Sequence, residues 1–293
     1  SGLFPAPFPM EQPMSIKDLL VHVDQSPATA TRLDAALDLG ERFGAHVTAL
    51  HLVAEPFMRS MAGYHLPADI LKEHLRHAEA EAEQVFAQSR EAAQHRGISL
   101  ETRVESGSLD RLPALFARNA RNADLIVVGE PNPEAGGADE TLLVEAAFMD
   151  TGRPALVIPQ AGAVRLPPER VMIAWDGSRE AARAVHDSMP LLRLAEEVVV
   201  LIVDASKLGP RFGQNPGAGI VAHLGRHEVA ARIAQVQSGG AAITDLILAE
   251  AKSAGADLIV MGGYGHSRLR ELMLGGVTRH MIERMTLPVL LAH

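Results

Sequence analysis

The sequence predicts an α/β protein made of two tandem copies of one unit, each a five-stranded, parallel-type sheet flanked by helices. Three observations carry this. Short apolar runs of strand length alternate with segments whose apolar residues recur at helical spacing. Four sequence blocks occur twice, in the same order. A strand-like run near residue 260 opens into a glycine-rich loop that leads to a helix.

The repeat is close to literal. Ala123-Asp-Leu-Ile-Val-Val-Gly129 matches Ala256-Asp-Leu-Ile-Val-Met-Gly262, and Val104-Glu-Ser-Gly107 matches Val236-Gln-Ser-Gly239. Arg153-Pro-Ala-Leu-Val-Ile158 matches Leu287-Pro-Val-Leu-Leu-Ala292, and Leu19-Leu-Val-His-Val-Asp24 parallels Val171-Met-Ile-Ala-Trp-Asp176. The offsets in chain order are 152, 132, 133 and 134, so the first copy carries about twenty extra residues between its first and second blocks. That is a duplicated unit.

In the second copy, 170–175 reads as a buried strand and Asp176-Gly-Ser178 as a turn with a helix cap. Ala181, Ala182, Val185, Met189 and Leu192 follow at helical spacing. The run 198–203 is a second strand, and a Gly- and Pro-containing loop, 207–219, leads to a helix ending near His227. A third strand over 229–236, an amphipathic helix over 241–253 and a fourth strand over 257–261 come next. After the glycine loop and its helix, 288–292 makes the fifth strand and offers an edge for pairing between chains. The first copy follows the same plan with a longer helical stretch, 67–96. In such sheets ligands sit at the carboxyl ends of strands, at a switch point in strand order. Asp176 and Gly262 both fall at such ends.

Composition narrows the function classes. A chain of 293 residues suits two units of ordinary size, and 47% hydrophobic with 22% charged residues is normal for a globular protein. The formal net charge of −9 argues against nucleic acid as a partner, and no apolar run approaches the roughly 18 residues needed to span a membrane. Absent cysteines remove disulfides, thiolate catalysis and Cys-based zinc sites together and fit a cytoplasmic location. Residues 1–14 read as a tag remnant or disordered tail, 15–160 as the first domain, 161–168 as a linker and 169–293 as the second domain.

The loop after the fourth strand of the second copy carries Gly262, Gly265 and Gly275. Glycines admit close backbone approach, and free N–H groups at a helix start attract anions. On these residues the chain resembles the universal stress protein family in its tandem two-domain form, an adenine nucleotide α hydrolase-like fold. The family loop runs Gly, two residues, Gly, nine residues, Gly, then Ser or Thr. Here the intervals match, and Gly276 replaces the hydroxyl residue, with Thr278 two positions on.

The resemblance implies ATP, with or without Mg²⁺, lying across the strand ends of the second domain. Asp176 matches the acidic residue that meets the ribose hydroxyls, and Ala174 and Trp175 flank the adenine region. Val203 matches the position whose backbone meets the adenine edge. Met261, Gly262, Gly263 and Gly265 would line ribose and phosphates, and Gly275, Gly276, Val277 and Thr278 would present N–H groups to the phosphate tail. His266 and Arg268 are within reach of phosphate or are solvated surface. Asp176 also has a plainer role as a turn or helix cap, and the glycines as turn formers.

The first copy differs after Gly129. Prolines at 131 and 133 remove donors, Glu130, Glu134, Asp139 and Glu140 repel phosphate, and Thr141 and Leu142 stand where Gly275 and Gly276 do. Asp24 survives. The expectation is a degenerate first domain that packs on the second as two family monomers pack in a dimer, with pairing to a second copy of the chain left open. His223 with His227, and His74 with His77, could share helix faces, but neither pair belongs to a His-Glu-x-x-His motif, so no metal is expected. With no catalytic base evident, any ATP hydrolysis would be slow. The alternative is an interaction or scaffold protein on the same fold that binds no nucleotide.

Overall fold

The structure, a computed structural model, describes residues 15–55, 68–132, 138–162, 164–208, 215–264 and 276–293. Among these, strands and helices alternate as the periodicity predicts. The first half contains β1 (Asp18–Val23), α1 (Ala28–Phe43), β2 (His46–Ala54), α2 (Ala68–His95), β3 (Leu100–Gly107), α3 (Leu112–Ala120), β4 (Leu125–Gly129), α4 (Ala138–Met149) and β5 (Ala155–Ile158). The second contains β6 (Arg170–Ala174), α5 (Arg179–Leu192), β7 (Glu197–Val203), α6 (Ala218–Arg226), β8 (Ala231–Val236), α7 (Ile243–Ala254), β9 (Leu258–Gly262), α8 (Gly276–Arg284) and β10 (Val289–Ala292).

The ten strands form one sheet in the order β3-β2-β1-β4-β5-β10-β9-β6-β7-β8. Among the described residues the pairings within each half are parallel, and β5 and β10 alone run antiparallel, with Leu156 opposite Leu290 and Val157 opposite Val289. The 288–292 run is therefore not an edge strand, as the sequence suggested. It lies between β5 and β9, and the sheet ends are β3 and β8. The physical reason is visible in its composition: β5 and β10 are continuous apolar runs buried at every position, and such strands belong at a sheet's centre.

Alternation along the strands divides the interior into two layers. One face packs against α1, α2, α5 and α6, the other against α3, α4, α7 and α8, and each layer runs through both halves. The aspartate of the repeated Ala-Asp-Leu-Ile-Val block has a structural task. Asp124 accepts the N–H groups of Lys17 and Asp18 at 2.7 and 3.1 Å. Asp257 does the same for Glu169 and Arg170 at 2.9 and 3.0 Å. Each ties the start of a fourth strand to the start of the first.

Shared layers predict that the halves unfold as one cooperative unit. Leu290→Ala is expected to cost the whole chain about 3 kcal/mol. Denaturant midpoints from Trp175 fluorescence and far-UV circular dichroism should shift together; separated midpoints would contradict a common core.

Candidate functional site

In each half the strand order reverses between the first and fourth strands, at β1/β4 and at β6/β9. In the second half Ala174 ends β6 level with Met261 of β9 on one side and Leu201 of β7 on the other. Trp175 leaves the ladder with its N–H donating to the Leu201 carbonyl at 2.9 Å, and its half-buried ring packs on the first core layer. Asp176 is exposed, and its Oδ1 accepts the Ser178 N–H at 2.9 Å. Gly177 takes a φ of 74°, a left-handed turn position that suits glycine. Ser178 caps α5 by accepting the Ala181 N–H at 3.1 Å. The plainer turn role is thus real: Asp176 shapes the turn that places Ser178 as the cap of α5, and its exposed carboxylate stands at the crevice mouth.

Across the crevice the Met261 side chain lies in the second core layer, and its backbone pairs with Ala174 on one side and Leu291 on the other. A Cβ on Gly262 would stand 2.6 Å from the Ala181 nitrogen, so only glycine lets α5 start this close to the strand end. Gly263 donates to the Ala292 carbonyl at 2.8 Å, and a Cβ there would collide with the Phe148 ring of α4. Val203 ends β7 half-buried. α8 opens at the exposed Gly276, and the first-turn N–H groups of Gly276, Val277 and Thr278 lack intrahelical acceptors. Thr278 is 4% exposed, and its Oγ1 accepts the Tyr264 N–H at 3.1 Å. The Thr278 hydroxyl is thus engaged by the fold, and free amides at a helix start are groups that attract anions. Gly265 and Gly275, with His266 and Arg268, lie outside the described residues.

Three residues that frame these crevices escaped the sequence reading. Asp204 follows Val203 with a φ of 52° and is 6% exposed. Its carboxylate accepts the Ser238 N–H and hydroxyl, both at 2.7 Å, which fastens the end of β7 to the end of β8. An acidic residue directly after an apolar strand was the available signal, since Asp tolerates positive φ. The others are Tyr264 and Arg32.

The first-half crevice is filled from within. By the 152-residue offset His22 stands where Ala174 does and Arg32 where Ala184 does. Arg32 is 5% exposed, and its guanidinium pairs with Asp24 at 2.7 Å and donates to Thr29 Oγ1 at 2.6 Å. It covers Gly129 so closely that a Cβ there would collide with it. Burial works to raise the Asp24 carboxyl, but Arg32, His22 and hydrogen bonds from Ser26 and Thr29 outweigh it and hold it well below the usual range. Glu130 accepts the Gln160 N–H at 2.8 Å and Glu140 the Asn132 N–H at 2.6 Å, so carboxylates already take amides beside this crevice. Outside Arg32 a cleft of about 800 Å³ remains open between α1 and the long α2, lined by Asp24 and Ser26 of this crevice together with Asp34, Gln84, Gln88 and Ser89. His223 and His227 lie with ring centroids 4.6 Å apart, and Arg193 Nη2 is 3.4 Å from His227 Nδ1. Among the described residues no cluster of three or more His, Asp or Glu could hold a metal ion. Nor is any described helix long and apolar enough to cross a membrane.

Burial, aided by Arg32, pushes the His22 imidazole from 6.5 down to about 3, against the pull of Asp24. The unfolded chain then takes up a proton that the folded chain refuses, so stability falls as pH drops from about 6.5 towards 3. Between pH 6.5 and 5 the loss through this residue should be about 2 kcal/mol. Urea titrations across that interval should show this slope in the wild type and its disappearance in His22→Ala. An equal slope in both proteins would remove the assignment.

Comparison with known proteins agrees with this architecture. The profile of the Universal stress protein family matches residues 15–143 and again 168–293. A universal stress protein of Synechocystis sp. is 24% identical over 94% of this chain and 99% of its own length. The crystal structure of a universal stress protein from Archaeoglobus fulgidus superposes with a TM-score of 0.72 at 17% identity, covering 95% of this chain and 96% of that one. A putative universal stress protein from Pseudomonas aeruginosa gives 0.60 at 15% identity, over 94% and 93% of the two chains. With two matches that together span most of its length, this chain belongs to the universal stress protein family.

Proposed function

We propose that this chain is a stress-response protein that binds an adenine nucleotide, ATP, in its second half, as a ligand or signal and not as a rapidly turned-over substrate. The observation that carries the reading is the contrast between the two switch points. Between β1 and β4 the space is taken by Arg32. At β6 and β9 the exposed Asp176 carboxylate and the first turn of α8 belong to one carboxyl edge. A carboxylate suits vicinal ribose hydroxyls, and first-turn amides suit phosphate oxygens. Ala174, Trp175 and Val203 would border the base, with Met261, Gly262 and Gly263 along the ribose. Gly276, Val277 and Thr278 would face the phosphates through their amides, with Gly265 and Gly275 completing the loop. Mg²⁺, if it accompanies the nucleotide, would ride on the phosphates, since these residues offer it no carboxylate cluster.

Trp175 is the one tryptophan of the chain and stands beside the site, so its emission is a direct reporter. Titration with ATP should change that emission and give matching heat by calorimetry. Asp176→Ala should weaken binding about tenfold, as expected for loss of hydrogen bonds to a charged acceptor. Absence of both signals in the wild type, together with no nucleotide released from the denatured purified protein, would leave the fold without this function.

A further inference from the structure

Tyr264 lies between two glycines of the second-half loop, yet its side chain belongs to the first half. Its ring stacks on Phe148 of α4, with centroids 5.6 Å apart and planes 28° from parallel. Its hydroxyl donates to Glu145 Oε1, also on α4, at 2.7 Å. Burial, reinforced by Glu145, pushes the phenol well above its usual range and keeps it a donor. The backbone at Tyr264 takes a φ of 53°, a conformation that costs a bulky residue energy and persists only where surrounding contacts enforce it. Gly263 presses on the same Phe148 ring. The Tyr264 N–H in turn donates to Thr278 Oγ1 at 3.1 Å, which ties the strand end to the first turn of α8. Two rims of the phosphate seat are thus joined through a residue anchored in the other half of the molecule.

The contact is one-sided. By the repeat offsets Pro131 stands where Tyr264 does, and Arg279 and Ile282 stand where Glu145 and Phe148 do. The reciprocal position therefore has neither an aromatic ring to stack nor a hydroxyl to donate. The half in which Arg32 covers Gly129 supplies the platform against which Gly263 and Tyr264 of the other half pack.

We propose that Tyr264 is a positioning residue through which α4 of the first half sets the geometry of the second-half nucleotide site and responds to its occupancy. This rests on the nucleotide reading above. Coupling between sites is reciprocal: if the α4 seat favours the binding geometry, bound nucleotide must tighten the α4 seat.

The test compares wild type, Tyr264→Phe, Glu145→Ala and the double variant by ATP titration with Trp175 emission. It is combined with hydrogen exchange over 138–149 with and without ATP. Each single change should raise Kd about fivefold, at the lower end of typical coupling between sites. The double variant should be no weaker than either alone, because both changes remove the same hydrogen bond. ATP should slow exchange over 138–149 in the wild type and not in Tyr264→Phe. A purely structural Tyr264 would lower the melting temperature of the variants and leave Kd within twofold of wild type; that result overturns this proposal and leaves the nucleotide reading intact. A wild type that binds no ATP removes both.

Discussion

The antiparallel seam between β5 and β10 is the constraint on which the molecule depends. Two parallel five-stranded sheets would each expose a fully apolar fifth strand, with unpaired backbone groups along a flat hydrophobic edge. Joining them through Leu156–Leu290 and Val157–Val289 removes both edges at once. It also extends the two core layers across the pseudo-twofold junction, so helices from both halves cover each face. What remains at the sheet ends, β3 and β8, alternates exposed and partly buried residues, and β3 carries Glu101, Arg103 and Glu105. Charged ends of this kind resist further strand addition.

On this common frame the two copies have kept their geometry and changed their contents. Asp124 and Asp257 hold strand starts in the same way, and Asp24 and Asp176 accept the equivalent serine N–H at 2.8 and 2.9 Å. The difference lies in what covers the glycine at the end of the fourth strand. Over Gly262 it is the backbone of α5; over Gly129 it is the Arg32 guanidinium. A long side chain at a helix position occupied by Ala184 in the other copy places an internal ion pair with Asp24 over the end of β4.

Much of this was legible in the residues. The duplication, the strand–helix alternation and the placing of Asp176 and Gly262 at strand ends follow from spacing and from blocks of identical sequence. β6 stops at Ala174, one residue short of the expected end, because Trp175 retains a single ladder bond before the Asx turn begins. Three features were not legible. A four-residue apolar run such as Val289–Ala292 reads alike at an edge or a centre, because the distinction lies in the partner strand and not in the run. Arg32 looks like a solvated helix residue until its position over Gly129 is known. Tyr264 reads as loop punctuation between glycines, since its partners Glu145 and Phe148 are more than a hundred residues away. Long-range contacts of this sort leave no local pattern.

The seam also bears on concentration. In an association of separate subunits, occupancy of the shared interface varies with protomer abundance, and dilution dissolves any property that needs both partners. Here one polypeptide carries both surfaces, so their encounter is intramolecular and its effective concentration is set by the tether alone. A ring seated on its neighbour's helix, as Tyr264 is on α4, therefore stays seated whether the cell makes few copies or many.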